Sequence, residues 1–454
     1  MRRFLPITGL AGVGLMLGSA AAIAQQPAPA GQQQPDTDVG DEPIEAGEAV
    51  ITTFSVAVPV FATPQAAASA AGNTEALGRQ IAEIIVADLR NSRQFQPTGP
   101  GGLQAPSFGQ VQAPPYEYWQ GTGADNLLQG YVQANPDGTL TVGCYLYDVS
   151  GRTQLARQGF VVQPGDWRRA AHRCADSIYN RLSGDTGFFD TRVVYVAESG
   201  PAGQRRKQLA IMDYDGANHR FLTQGQWTVL TPRFAPDQRT ITFVSYEQQR
   251  PRVYVLDVAS SRVRPLVPGP NQTFAPRYSP DSRHIVFSMA VNGNTDVYRV
   301  PVAGGTPQRL TNAPGIDTGG SFSPDGSRIV FESDRSGSQQ LYVMSADGSG
   351  QQRISFGGGG YGTPEWSPRG DLIAFTKTGS FRIGVMTPEG SGERILTRDA
   401  GEGPTWAPNG RAIMYQRGLG RAQVWYVDVA SGATRRVPTP LEGSDPSWSR
   451  LRPN

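Results

Sequence analysis

The sequence predicts a mainly β protein: a C-terminal six-bladed β-propeller of four-stranded blades, preceded by a small α/β domain. Three observations carry the prediction. An aromatic residue, a small residue and, in all but the last copy, a proline turn recur six times: Phe234-Ala235-Pro236-Asp237, Tyr278-Ser279-Pro280-Asp281, Phe322-Ser323-Pro324-Asp325, Trp366-Ser367-Pro368-Arg369, Trp406-Ala407-Pro408-Asn409 and Trp448-Ser449. The aromatic anchors stand 44, 44, 44, 40 and 42 residues apart, and self-similarity at roughly 40–45 residues is the period of a propeller blade. The strands ahead of the first motif and the strand at the last one complete a single blade between them.

Each repeat reads as four strands. After the turn comes an apolar, β-branched run (Ile241-Thr242-Phe243, Ile285-Val286-Phe287, Ile329-Val330-Phe331, Ile373-Ala374-Phe375, Ile413-Met414-Tyr415) suited to burial between sheets. An alternating third strand follows, such as Val253-Tyr254-Val255-Leu256-Asp257 or Val424-Trp425-Tyr426-Val427-Asp428, then a turn such as Asp347-Gly348-Ser349-Gly350. The fourth is short and polar, as in Gln308-Arg309-Leu310-Thr311, which suits an outer edge that must not recruit another strand. Before Phe234 stand a second (Val193–Val196), a third (Leu209–Met212) and a fourth strand (Arg220–Thr223) with no first, while Pro446–Ser449 is a first strand with nothing to follow. The C-terminus therefore supplies the innermost strand of the blade that begins after Asp190, and the ring closes without an open edge.

The N-terminal part has a different grain. Arg2 and Arg3, the apolar run Leu10–Ile23 and the Ala22-Ile23-Ala24 pattern predict a signal peptide over 1–24, cleaved after Ala24. No other stretch approaches ~18 apolar residues, so no membrane insertion is expected, and the Gram-negative periplasm is the expected compartment. Residues 25–47 hold Gln, Pro, Ala and five acids without one basic residue, a leader too polar to offset its chain entropy. From 48 to 185 the pattern is α/β, with the propeller over 190–454. A strand over Ser55–Phe61 leads to a helix with Leu77, Ile81, Ile84, Ile85 and Leu89 on one side. Leu127–Ala134 and Leu140–Val149 flank the turn Asn135-Pro136-Asp137-Gly138. A strand over Gly159–Gln163 precedes a second helix, with Asp166 as N-cap and Trp167, Ala171, Cys174, Ile178 and Leu182 inward.

Charge and reactive residues exclude more than they assign. The 41 basic and 39 acidic residues leave a net +2, with the basic ones scattered and nearly all arginine, which argues against nucleic acid as a partner. Cys144 shares a strand face with Leu140, Val142 and Leu146, and Cys174 lies on a helix's apolar face; a disulfide and two inert buried thiols are both open. No Gly-x-Ser-x-Gly elbow occurs, and none of His172, His219 and His284 has a sequence context resembling a triad or a metal pair. No catalytic residue, metal ligand or cofactor is assigned. Asp237, Asp281 and Asp325 recur as turn caps, since Arg369 and Asn409 fill the same slot in other blades and break any shared coordination. Gly357–Gly360 precedes a strand, not a helix, and lacks the geometry of a phosphate loop.

At this point the chain resembles a known family. The α/β domain with Ala87-Asp88-Leu89-Arg90-Asn91-Ser92, the junction Phe188-Phe189-Asp190-Thr191-Arg192-Val193-Val194-Tyr195-Val196 and the six propeller motifs look like those of the TolB family, the periplasmic propeller proteins of the Tol–Pal envelope system. The resemblance covers about residues 48–449. It implies a non-enzymatic, monomeric scaffold that binds the lipoprotein Pal at the propeller mouth and TolA through its N-terminal segment, supporting outer-membrane integrity and constriction at division. On this chain the mouth is expected at Gln272, Ala275, Asp317, Thr318, Tyr361, Thr363 and Glu402, with Asn292, Asp334 and Arg335 outside them. The TolA contact falls on Glu48, Val50 and Ile51, behind an acidic leader that family members usually lack. The competing reading is an envelope propeller that binds or hydrolyses cell-wall peptide or glycan; mouth loops made of Gly, Thr, Gln and few aromatics speak against it.

Overall fold

The computed structural model describes residues 53–201, 203–418 and 421–453; the signal peptide, the leader and Glu48, Val50 and Ile51 lie outside them. The N-terminal unit is a five-stranded sheet in which Phe54–Ala57 runs parallel to both Phe95–Thr98 and Asn126–Ala134, followed by the meander Leu140–Asp148 and Thr153–Val162. Its first strand stops at Ala57, earlier than the sequence pattern suggests, because Pro59 has no N–H to continue a ladder. The strand Phe95–Thr98 was illegible for a similar reason: it contains Pro97 and lies at the sheet edge.

Helix α1 (Thr74–Asn91) begins where the Asn73 side chain accepts from the Glu75 N–H at 2.8 Å, with Glu75 in the first turn and Arg90 in the last, each complementing the helix dipole. Its face of Leu77, Ile81, Ile85 and Leu89 is buried. A short helix α2 (Tyr116–Gly121), not anticipated, seats Trp119 in a second core on the other sheet face with Val111, Leu127, Tyr145 and Tyr147. Helix α3 (Trp167–Ser183) packs beside α1. Asp166 does not cap it through its side chain; it ends a 3-10 turn, Pro164–Asp166, whose geometry already turns the chain into the helix.

Cys144, on the strand Leu140–Asp148, and Cys174, on α3, form a disulfide between sheet and helix, 30 residues apart in sequence. Both are buried. Closing a loop of this length constrains the unfolded chain by about 3–4 kcal/mol, so urea unfolding of the N-terminal unit should shift to lower denaturant on reduction. A thiol titration of unfolded, unreduced protein that finds two free groups would remove that effect.

The propeller has six four-stranded sheets. Blade I takes Arg192–Ser199, Arg206–Asp213 and Arg220–Phe221 from the segment after the junction, and its innermost strand, Glu442–Trp448, from the C-terminus. Blades II to VI open with Val229–Phe234, Thr273–Tyr278, Asp317–Phe322, Tyr361–Trp366 and Gly401–Trp406. Second strands carry the burial between blades: Phe287, Phe331 and Phe375 are fully enclosed, each contributing about 1.5–3 kcal/mol relative to exposure.

Two stretches that carry the family resemblance meet at the junction of the two units. Asp88 of α1 accepts from the Tyr214 hydroxyl and lies 2.7 Å from Nδ1 of His172 on α3, all three buried. Asn91 accepts from the Tyr426 hydroxyl at 2.7 Å, Asp190 binds Arg169 and Arg452, and Thr191 accepts from the Trp448 indole at 2.8 Å. The N-terminal unit sits on the face made by turns that follow the aromatic motifs. There Arg369 and Arg411 both bind Asp185, and Asn409 donates to Thr186 O at 3.0 Å. This explains the breaks in the motif. In blades II to IV the slot aspartate receives a backbone N–H within its own turn; an aspartate in place of Arg369 or Asn409 would face Asp185.

Candidate functional site

The face away from the N-terminal unit is built from loops entering the innermost strands and loops joining second to third strands, because alternate ends of antiparallel strands fall on one side of a propeller. Just inside it, all six innermost strands bulge. Residues Thr231, Ala275, Gly319, Thr363, Gly403 and Asp445, each three positions before its aromatic anchor, have φ between 46° and 69°. At each place two residues of the inner strand oppose one of its partner. Glycine takes this conformation freely at Gly319 and Gly403; Thr231, Ala275, Thr363 and Asp445 take it against their Cβ atoms.

Hydrogen bonds between blades hold most of these bulges. The backbone N–H of Gly319, Thr363, Gly403 and Asp445 donates to Ser288, Glu332, Thr376 and Gln416 on the second strand of the preceding blade, at 3.3, 3.2, 3.3 and 2.9 Å. Blade II is held differently, Thr231 N–H reaching Asp445 of blade I at 3.2 Å. A ring of such contacts fixes the spacing of the loops above it. The channel wall is acidic here. Burial pushes Glu332 up to about 6 despite the hydrogen bonds it receives from Thr363 N–H and Gln339. Burial first, and Asp445 second, also raise Glu402, which accepts from Gln416 at 2.6 Å.

The expected mouth residues fall into two groups. Gln272, Ala275, Thr318, Thr363 and Glu402 are half-buried along the inner rim. Asp317 and Tyr361 are fully buried and engaged: Asp317 accepts from Arg335 at 2.7 Å, and the Tyr361 hydroxyl donates to Glu393 at 2.6 Å beneath the Lys377 ammonium. These two brace the rim from below. Arg335 is tied down with them, its guanidinium over the Phe331 and Tyr342 rings.

What the loops present outward was underestimated from the sequence. Phe356 is 71% exposed, Trp227 49%, Ile316 41% and Phe381 38%. All four lie in loops of this one face, between the strands ending at Phe221, Arg309, Arg353 and Lys377 and those that follow. Exposed large apolar groups gathered on one side mark an interaction surface more than a catalytic cleft. The signal was present, as a lone aromatic among polar and glycine residues in Gln224-Gly225-Gln226-Trp227 and Ser355-Phe356-Gly357, but loop composition as a whole concealed it.

The junction of the two units holds a close titratable cluster around His172, Asp213 and Asp215. His172 Nε2 stands 3.8 Å from Asp215, itself bound to Arg168 at 2.5 Å, and Asp213 is engaged by Asn218 and Arg452. The sequence context of His172 shows none of this, since its carboxylates come from α1 and from the propeller.

A family model described as the TolB amino-terminal domain matches residues 43–155, and one described as the TolB beta propeller domain matches 179–452. The chain is 68% identical over 403 residues to "Tol-Pal system protein TolB" of Rhizorhabdus wittichii, covering 88% of this chain and 92% of the relative. It is 59% identical over 448 residues to the protein of the same description from Zymomonas mobilis, covering 97% of each. The crystal structure of TolB from Acinetobacter baumannii superposes with a TM-score of 0.74 at 25% identity, covering 88% of this chain and 97% of that one.

Proposed function

The chain belongs to the TolB family of Tol–Pal system proteins, and from that premise we propose that it is a periplasmic, non-catalytic scaffold that docks Pal on the propeller mouth and reaches TolA through its N-terminal segment. The observation that supports the docking face is its set of outward apolar side chains, Trp227, Ile316, Phe356 and Phe381, on the side the N-terminal unit leaves uncovered. Large apolar anchors above a polar, acid-lined rim suit a protein surface, whereas a glycan site needs aromatic and carboxylate groups facing one cleft. Under this reading Gln272, Ala275, Thr318, Thr363 and Glu402 form the polar inner ring, and Asp317 and Tyr361 hold it in shape. The TolA contact would use Glu48, Val50 and Ile51 or the leader before them. Under the same reading, the processes it would serve are outer-membrane maintenance and constriction at division.

Replacing an exposed anchor tests the face without disturbing the core. Trp227→Ser and Phe356→Ser should fold with unchanged melting temperature and each lose roughly 30-fold in affinity for purified Pal, the scale of a hot-spot truncation. In affinity capture from periplasm after mild cross-linking, a chain beginning at Phe54 should keep Pal and lose TolA. Undiminished Pal affinity in both anchor variants would place docking elsewhere, and undiminished TolA capture by the shortened chain would exclude the N-terminal segment.

A further inference from the structure

At the far end of the propeller axis from the mouth, the residues just before the aromatic anchors form a second ring: Arg233, Arg277, Ser321, Glu365, Thr405 and Ser447. With the aromatic and proline layer and Arg450 they line a cavity of about 170 Å³. Its charges do not balance. Arg277 pairs with Glu365, whose other oxygen accepts from Thr405 Oγ1 at 3.1 Å and Trp406 N–H at 3.2 Å. That uses the one carboxylate of the lining.

Arg233 is left over. It is 8% exposed, and among the described residues its guanidinium donates to the neighbouring Pro232 carbonyl, at 2.7 Å, with no carboxylate at ion-pair distance. Arg450, exposed at the cavity edge, has no carboxylate partner among the described residues either. A buried guanidinium without a counter-ion is costly, and a planar fork of donors is best satisfied by an oxyanion held through two parallel bonds. Burial, reinforced by the like charge of Arg277 and only partly offset by the more distant Glu365 and Asp445 carboxylates, pulls the Arg233 pKa down to about 9.

We propose that this cavity is an oxyanion site, in which Arg233 binds a phosphate or carboxylate group from below and Arg450 closes on it from the edge. The volume admits an inorganic phosphate with accompanying water. The cavity opens on the turn face that the N-terminal unit partly occupies, so the site is separate from the apolar rim and independent of any partner assigned to it.

The test is thermal unfolding of the full mature chain in inorganic phosphate, in acetate and in chloride at matched ionic strength. Phosphate well above its dissociation constant should raise the wild-type midpoint by roughly 2–4 °C over chloride, and Arg233→Met should abolish the rise while remaining at least as stable as wild type in chloride. A rise with phosphate alone assigns a tetrahedral dianion, and a rise with acetate as well assigns carboxylates too. Should Arg233→Met not fold, Arg450→Gln, at an exposed position, should still reduce the response. No rise in either anion, or a rise equal in wild type and the variants, overturns the proposal.

Discussion

A chain ending at Leu441 should lose cooperative unfolding of the propeller and bind hydrophobic dyes in native buffer. The missing strand, Glu442–Trp448, is the innermost of blade I, paired with Arg192–Ser199 along its length. Its losses reach beyond that ladder. Trp448 is buried against Phe188 and Tyr214 and donates to Thr191; Ser447 accepts from the Phe234 N–H of blade II at 3.2 Å; Gln238 donates to the carbonyls of Arg450 and Leu451. Removing Trp448 alone, as Trp448→Ala, should cost about 3–5 kcal/mol. Truncation removes that, the ladder and the clasp on blade II together, which approaches the ~5–15 kcal/mol that folds a typical domain. Denaturation followed by near-ultraviolet circular dichroism distinguishes the outcomes: an unchanged midpoint and slope in the shortened chain would mean that the ring does not depend on its C-terminal strand.

Strand order and blade number were legible because they rest on periodic chemistry: an aromatic anchor, a proline turn and an apolar strand repeat whatever the surroundings. Departures from the pattern were legible only as departures. Arg369 and Asn409 ruled out a shared aspartate site, but their purpose needed Asp185 and Thr186, about 180 and 220 residues away in sequence and brought to the same turns by the fold. The bulges of the inner strands follow from long-range geometry too. Thr363 and Ala275 take a left-handed backbone where the inner strand puts two residues opposite one of its partner, a condition set by the ladder and not by the residue itself. Position along a loop placed the rim residues, yet side-chain direction decides which are presented. Asp317 and Tyr361 turn inward to Arg335 and Glu393, while Phe356 and Trp227 turn out. That choice depends on neighbouring blades and has no periodic trace.

Breaking the contact between His172 and Asp88 should loosen α3 from α1 inside the N-terminal unit, and the loss should depend on pH. Burial alone would depress the imidazole, but the charge and hydrogen bond of Asp88, with Asp215 and Asp213 beyond, outweigh it and hold the pKa at about 9. A folded-state value above the ordinary 6.5 contributes stability that is fully present below pH 6.5 and disappears as pH rises through 9. A shift of this size is on the order of 3 kcal/mol, similar to the ~3–5 kcal/mol lost when one partner of a buried pair is removed. His172→Gln should therefore unfold well before wild type in urea at pH 6.5, and the gap should narrow by pH 10. Asp176, raised to about 7 by burial, titrates in both proteins and cancels from the difference; Asp88 is raised by burial too, and loses in the variant the imidazolium that holds it down. Asp88→Asn separates charge from shape, since its amide oxygen can still accept from Tyr214 while the imidazole loses its counter-charge; it should be destabilised at pH 6.5 and approach wild type at pH 10. If the gap for His172→Gln stays constant from pH 6.5 to 10, the imidazole is neutral in the folded protein and holds the two helices without a charge.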